Sequence, residues 1–133
     1  MPRYSLDSNT LSYVLRKDPR VSSRFEQLLR ENNEFIICPV VYYELRRGLL
    51  KKDAHAQLKA LEAIVSKLDW LDFEREIWLR AAQGWADASN VGRPPEDADL
   101  FIAYHAHYFS AIVVTNNIKD FESYPVPLEN WVA

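Results

Sequence analysis

A chain of 133 residues, 48% of them hydrophobic and 26% charged, is long enough to bury one substantial core and has the composition of a soluble globular protein. The net charge of −3 argues against a protein that coats nucleic acid through bulk positive charge. It leaves open a nuclease whose acidic groups lie together in one cleft.

Cys38 is the only cysteine, and it lies in the apolar segment FIICPVV. A lone cysteine excludes an internal disulfide and predicts a buried, reduced thiol. No signal peptide and no apolar run of membrane-spanning length is recognisable. We therefore expect a cytoplasmic protein with no membrane partner.

The N-terminal half alternates between strand and helix patterns. Its predicted elements are a strand at 3–6, a helix through Val14, a helix over 21–32 and a strand over 34–38. The N-cap residue types Asp-Ser-Asn-Thr follow the first strand, and Pro39 ends the second. The next segment, VVYYELRRGLLKK, has helical spacing, with a break expected near Gly48.

The C-terminal half continues this alternation. Its predicted elements are a helix over 55–68, a short strand over 69–73, helices over 75–89 and 97–109, the buried strand SAIVVTNN and an edge-like strand in YPVPLENWV. Strands separated by helices predict a three-layer α/β/α sandwich with a mostly parallel sheet of about five strands. We expect one domain over residues 1–133.

Acidic and amide side chains stand at positions that such a sheet would bring together. Asp7 follows the first strand, Glu44 lies early in the helix after the second strand, and Asp99 begins the helix that leads into SAIVVT. Thr115 and Asn117 stand at the end of that strand. Because ligands bind beyond the carboxyl ends of parallel strands, these residues are expected to meet.

A cluster of carboxylates is unfavourable by itself, because like charges raise one another's pKa and oppose ionisation. A divalent cation removes that repulsion, and donors that are all oxygen suit Mg²⁺ or Mn²⁺. Such an ion activates water and neutralises charge on a phosphoryl group, which favours hydrolysis of phosphodiesters. The pattern thus predicts a metal-dependent nuclease.

Four segments in order, LDSNTLSYVL, VVYYELRRG, DADLFIAYHA and VVTNNIKDF, resemble the PIN-domain ribonucleases, specifically the VapC-type toxins of toxin–antitoxin pairs. The resemblance covers nearly the whole chain. It implies that Asp7, Glu44 and Asp99 bind the metal, while the family's fourth acidic position falls on Asn117, with Thr115 two residues earlier. Because the amide of Asn117 carries no charge, the number of metal ions that the site binds, one or two, stays open. The resemblance also implies a PIN-like fold, cleavage of RNA, a homodimer and a cognate antitoxin.

Each of these residues also has a structural interpretation. Asp7 is a suitable N-cap, and Asp97 is the better cap of its helix, which would leave Asp99 at the second helical position and Asp97 as a supporting acid behind the metal ligands. Glu44 has Arg47 three residues later, the spacing of a surface ion pair. The cations Arg46, Arg47, Lys51 and Lys52 are candidates for binding substrate phosphate, with Arg46 and Arg47 the first choice, although a solvated face or contact with an antitoxin's acidic segment is also consistent with them.

In the predicted mechanism Asp7 and Asp99 hold the metal, Glu44 binds it or orients the attacking water, and Thr115 and Asn117 help to position that water. A phosphatase of the haloacid-dehalogenase type fits less well, because its second Asp is replaced by Asn9. A signalling receiver domain also fits poorly, because it needs a pair of acidic residues after the first strand and this chain has only Asp7 there. The alternative that stays open is a degenerate PIN domain that binds RNA or a protein without cleavage, which the amide of Asn117 favours.

Overall fold

The computed structural model describes residues 2–132 and contains five strands and seven helices within that range. In chain order they are β1 (Arg3–Leu6), α1 (Ser8–Leu15), α2 (Pro19–Arg30), β2 (Glu34–Ile37), α3 (Pro39–Lys51), α4 (His55–Val65), β3 (Asp69–Trp70), α5 (Arg75–Asn90), α6 (Asp97–Tyr108), β4 (Ile112–Val114), α7 (Ile118–Phe121) and β5 (Leu128–Glu129). The strands form one sheet in the order β3-β2-β1-β4-β5, and every neighbouring pair is parallel. The predicted α/β/α fold is confirmed.

β1 lies at the centre of the sheet, where both of its edges are paired. Tyr4 is in register with Phe35 of β2 on one side and with Ile112 of β4 on the other. The central strands are nearly continuous apolar runs, as expected when helices cover both faces of a parallel sheet. Phe25 of α2 and Ile102 of α6 are at most 2% exposed in the core that these helices complete.

Strand register sets the edge at which the site lies. Leu6 is in register with Val114, so β1 and β4 end at the same level. The backbone N–H of Asp7 then donates to the carbonyl of Val114 at 3.0 Å, which holds the start of α1 against the end of β4. None of the described helices is long and apolar enough to cross a bilayer.

The expected break near Gly48 is wrong, because α3 continues without interruption to Lys51. Glycine inside a helix costs only about 1 kcal/mol relative to alanine. Leu45 and Leu49, on either side of Gly48, pack against the core, and this burial holds the helix together across the glycine.

The cap expected for α6 is also wrong by one residue. Glu96 takes the N-cap position with an extended backbone (φ −72°, ψ 140°), so Asp97 is the first helical residue and Asp99 the third. The side chain of Glu96 makes no capping hydrogen bond. The one-turn helix α7 was not predicted, since four residues leave no periodic pattern to recognise.

Candidate acidic active site

Asp7 combines the capping role and the site position that the sequence presented as alternatives. It is the N-cap of α1, and its Oδ1 accepts a hydrogen bond from the backbone N–H of Thr10 at 2.8 Å. The residue is only 4% exposed, and this burial raises the pKa of its carboxyl. Hydrogen bonds from the hydroxyl of Thr115 and from Thr10 oppose that rise by favouring the charged form.

Glu44 is held by a hydroxyl more closely than by its predicted ion-pair partner. Ser8 Oγ donates to Glu44 Oε1 at 2.6 Å, which ties the start of α1 to α3. Arg47 Nη2 stands 4.0 Å from Glu44 Oε2 and its side chain is 59% exposed. An exposed pair at that distance contributes little stability. Ser8, which the sequence did not single out, therefore determines where this carboxylate lies.

Asp99 is half-buried in the first turn of α6. Burial raises the pKa of its carboxyl to about 6, and the negative charges of Asp120, Glu96, Asp7 and Glu44 add to the rise. The N-terminus of a helix favours an ionised carboxylate, yet here that effect is outweighed. The carboxylates therefore repel one another, which is the unfavourable arrangement that a bound cation would relieve.

These side chains line one cavity of about 210 Å³ at the carboxyl edge of the sheet. Its lining consists of Asp7, Ser8, Asn9, Glu44, Glu96, Ala98, Asp99, Ile102, Asn117 and Asp120. Five of these residues are acidic, and neither lysine nor arginine is among them. The predicted residues Asp7, Glu44, Asp99 and Asn117 therefore meet in one pocket.

Thr115 lies behind this pocket. It is fully buried, and its Oγ1 accepts the backbone N–H of Asn117 at 2.9 Å while its hydroxyl supports Asp7. The strand end thus fixes the turn that carries Asn117. A contact between Thr115 and water or metal, as the sequence suggested, stays a prediction.

The donor set of the pocket fits Mg²⁺ or Mn²⁺. All its polar side chains offer oxygen, with the amide groups of Asn9 and Asn117 beside the carboxylates. Within residues 2–132, no three His, Cys, Asp or Glu side chains converge closely enough to form a ready-made metal cage. Mg²⁺ does not need one, because it is commonly held by one or two carboxylates and keeps several waters.

Asp120 and Glu96 are acids of the pocket that were not predicted. Asp120 exerts the largest charge effect on the pKa of Asp99. It stands three residues after Asn117 in the segment NNIKDF, and this one-turn spacing on α7 brings both residues to the same cavity. The acidic residue in NNIKDF was the one sequence feature that could have identified Asp120 as part of the site. The one-turn helix α7, which brings Asp120 to the pocket, was not recognisable from the sequence.

Besides Thr115, the predicted residues Asp97, Arg46 and Arg47 lie outside the pocket. Asp97 lines a separate cavity with Trp78, Trp85 and other residues of α5 and α6. Arg46 forms an ion pair with Glu62 at 3.0 Å. The guanidinium of Arg47 lies over the ring of Tyr43 and 4.0 Å from the carboxylate of Glu44. Neither arginine lines the acidic cavity. Their predicted part in substrate binding stays a prediction.

The fold and the site together define a class of protein. Its members are parallel α/β/α proteins with an acidic, oxygen-lined pocket at the carboxyl edge of the sheet. The family described as PIN domain matches residues 4–126. The chain belongs to the PIN-domain family, and the resemblance predicted from its motifs is confirmed.

Among characterised relatives, the chain is similar to Ribonuclease VapC2 of Rickettsia felis, with 33% identity over 96% of this chain and 97% of the relative. It is also 29% identical to the tRNA(fMet)-specific endonuclease VapC of Salmonella typhimurium, over 98% of this chain and 99% of that one. The crystal structure of VapBC2 from Rickettsia felis bound to a promoter DNA fragment superposes with a TM-score of 0.86 at 32% identity, covering 97% of this chain and 98% of that chain. DNA-bound VapBC from Salmonella typhimurium gives a TM-score of 0.86 at 30% identity, covering 98% and 99%.

Proposed function

We propose that this chain is a Mg²⁺- or Mn²⁺-dependent endoribonuclease and the toxin of a VapC-type toxin–antitoxin pair, carried by one domain. One observation carries the proposal. Carboxylates from β1–α1, α3 and α6 meet in a cavity that no lysine or arginine lines. Relatives named as ribonucleases over nearly their whole length support RNA as the substrate class.

In the proposed mechanism Asp7 and Asp99 would hold the divalent ion, and such an ion would lower the pKa of a water and neutralise charge on the phosphoryl group. Ser8 donates to Oε1 of Glu44, which leaves Oε2 as the oxygen that would accept a hydrogen bond from the attacking water. Asn117, which lines the same pocket, offers an uncharged acceptor or donor. Asp120 supplies further negative charge next to Asp99.

The assembly follows from the same resemblance. Solved relatives are VapBC complexes, some of them bound to DNA, so we infer a cognate antitoxin as protein partner. A homodimer would use the exposed aromatic face of α5, where Trp78 and Trp85 are 50% and 46% exposed. The buried free thiol of Cys38 and an RNA substrate together favour the cytoplasm.

The decisive experiment incubates purified protein, stripped of any inhibitor, with total RNA in the presence of Mg²⁺, Mn²⁺ or EDTA. Asp7→Asn and Asp99→Asn should abolish metal-dependent cleavage, and Asp120→Asn should weaken it. Asp97→Asn is the matched control, because it removes an acid from the same helix end outside the pocket. Cleavage that persists in EDTA, or in both Asp7→Asn and Asp99→Asn, would refute the mechanism.

The degenerate PIN domain is the second candidate. The amide of Asn117 in a pocket of carboxylates is the observation that favours it. Wild-type protein that binds RNA or an antitoxin, yet cuts no RNA with either metal, would establish the binding role instead.

A further inference from the structure

A groove of about 220 Å³ lies between α1 and α3 and meets the acidic pocket at Glu44, which lines both. The groove is formed by Ser12, Leu15, Arg16, Glu44, Leu45, Gly48, Leu49, Lys52 and Gln57. Its apolar part comes from leucines of both helices, and its polar part from one hydroxyl, one amide, one carboxylate and two cations. No role has been given to it by the metal-centred mechanism.

The charge of this groove differs from that of the other cavity next to the acidic pocket. Arg16 and Lys52 face the single acid Glu44 in the groove. The other cavity, of about 600 Å³, carries Arg93 and Lys119 but also four carboxylates, and it shares Asp99 and its acidic neighbours with the pocket. A polyanion is attracted to the side on which positive charge is in excess.

Both cations of the groove are available to a ligand. Among residues 2–132, neither Arg16 nor Lys52 takes part in an ion pair, and both are exposed. The guanidinium of Arg16 lies 4.6 Å from the ring centre of Tyr13, which orients it without neutralising it. An arginine held in this way keeps its N–H donors for a phosphate. Arg46, by contrast, is already paired with Glu62.

We propose that the groove between α1 and α3 binds the RNA backbone next to the scissile phosphate, with Arg16 and Lys52 as its phosphate contacts. This inference rests on the proposed ribonuclease function. The RNA strand passes over Glu44 into the acidic pocket, and the leucines of the groove contact a ribose or base. The space next to Gly48 is open, since a Cβ built at that position would meet no atom within 4 Å.

The test compares two double variants with the same change in charge. Arg16→Ala/Lys52→Ala alters the groove, and Arg93→Ala/Lys119→Ala alters the cavity on the other side of the pocket. All proteins carry Asp99→Asn so that the RNA stays intact, and binding of a fluorescein-labelled oligouridylate is followed by anisotropy in Mg²⁺ at several salt concentrations. We expect the groove variant to bind the RNA roughly tenfold more weakly. The slope of log K against log salt concentration should become shallower by about 1.4, because each of the two lost phosphate contacts contributes about 0.7.

The matched control should lose less than about threefold, which is within the range of an exposed charge acting at a distance. Equal losses in the two double variants would show bulk electrostatics and overturn the proposal, as would an unchanged groove variant. Gly48→Leu provides a second reading, because leucine favours the helix and fills the groove. It should weaken binding without lowering the melting temperature, and full affinity in this variant would also refute the subsite.

The proposed function can fail separately. Cleavage by otherwise wild-type protein is measured in parallel with the EDTA and Asp7→Asn controls. Metal-dependent cleavage together with unaltered RNA affinity of the groove variant removes the subsite alone. If the groove variant loses RNA affinity and the otherwise wild-type protein cuts no RNA, the subsite is supported and the nuclease function is refuted.

Discussion

Asp99→Asn should stabilise the metal-free protein at neutral pH while it abolishes activity. The carboxyl of Asp99 has a pKa raised from 3.8 to about 6, first by burial and then by the surrounding acids. A shift of about two units corresponds to roughly 3 kcal/mol, and solvent screening of a half-buried group reduces this to about 1–2 kcal/mol. Asparagine has nearly the same shape and removes the charge.

The sign of the pH dependence follows from proton binding. Between pH 3.8 and about 6 the folded state holds the Asp99 proton more tightly than the unfolded chain, so this group loses stability as the pH rises through that interval. The full unfavourable effect is present at pH 7. The advantage of Asp99→Asn should therefore be largest at pH 7 and shrink toward pH 4.

Urea unfolding in EDTA, followed by circular dichroism at several pH values, measures this effect. Mg²⁺ should reverse the order, because the wild type gains binding free energy that the variant lacks. Metal affinity of the wild type should also fall as the pH drops below about 6, where Asp99 holds a proton that must leave. Asp97→Asn, outside the pocket, should show neither effect. If Asp99→Asn destabilised the metal-free protein at pH 7, the assumption of uncompensated repulsion in the pocket would be refuted.

Three further substitutions test the packing and the support of the site. Gly84→Ala should destabilise the fold by about 1–3 kcal/mol, since its Cβ would lie 2.2 Å from the Tyr104 hydroxyl oxygen, and unchanged thermal unfolding would contradict that close packing. Gly48→Ala, in an equally helical but open position, should instead raise stability by up to about 1 kcal/mol, and a lower melting temperature would contradict this. Thr115→Val removes a hydroxyl that lowers the pKa of Asp7, so the pH profile of metal-dependent cleavage should move to higher pH; an unmoved profile would exclude that support.

Much of the architecture followed from local pattern. The short apolar runs EFII and IVV are typical of buried strands, and the helical periodicity between them indicated crossovers in a parallel sheet. That topology implied one edge for the ends of β1 and β4 and the start of α6. A meeting of Asp7, Glu44 and Asp99 was therefore a prediction of the sequence, and all three line the acidic pocket.

The direction of each side chain was not deducible in the same way. Asp97 and Asp99 are two residues apart on α6 and so differ by about 200° around its axis, which sends one to the tryptophan cavity and the other into the acidic pocket. Nothing in DADLF says which of the two faces inward. That choice depends on how α6 is rotated against α5 and the sheet, which is a property of the packed core.

Sequence alone thus predicted the order of the strands and of every helix except α7, the chemical type of the site and the edge of the sheet on which it lies, because periodicity and strand ends are local properties of the chain. The tertiary structure decided which acids enter the pocket, admitting Asp120 and excluding Asp97, and it joined a cationic groove to Glu44. These features depend on helix rotation and on distances between remote segments, which become definite only when the core has packed.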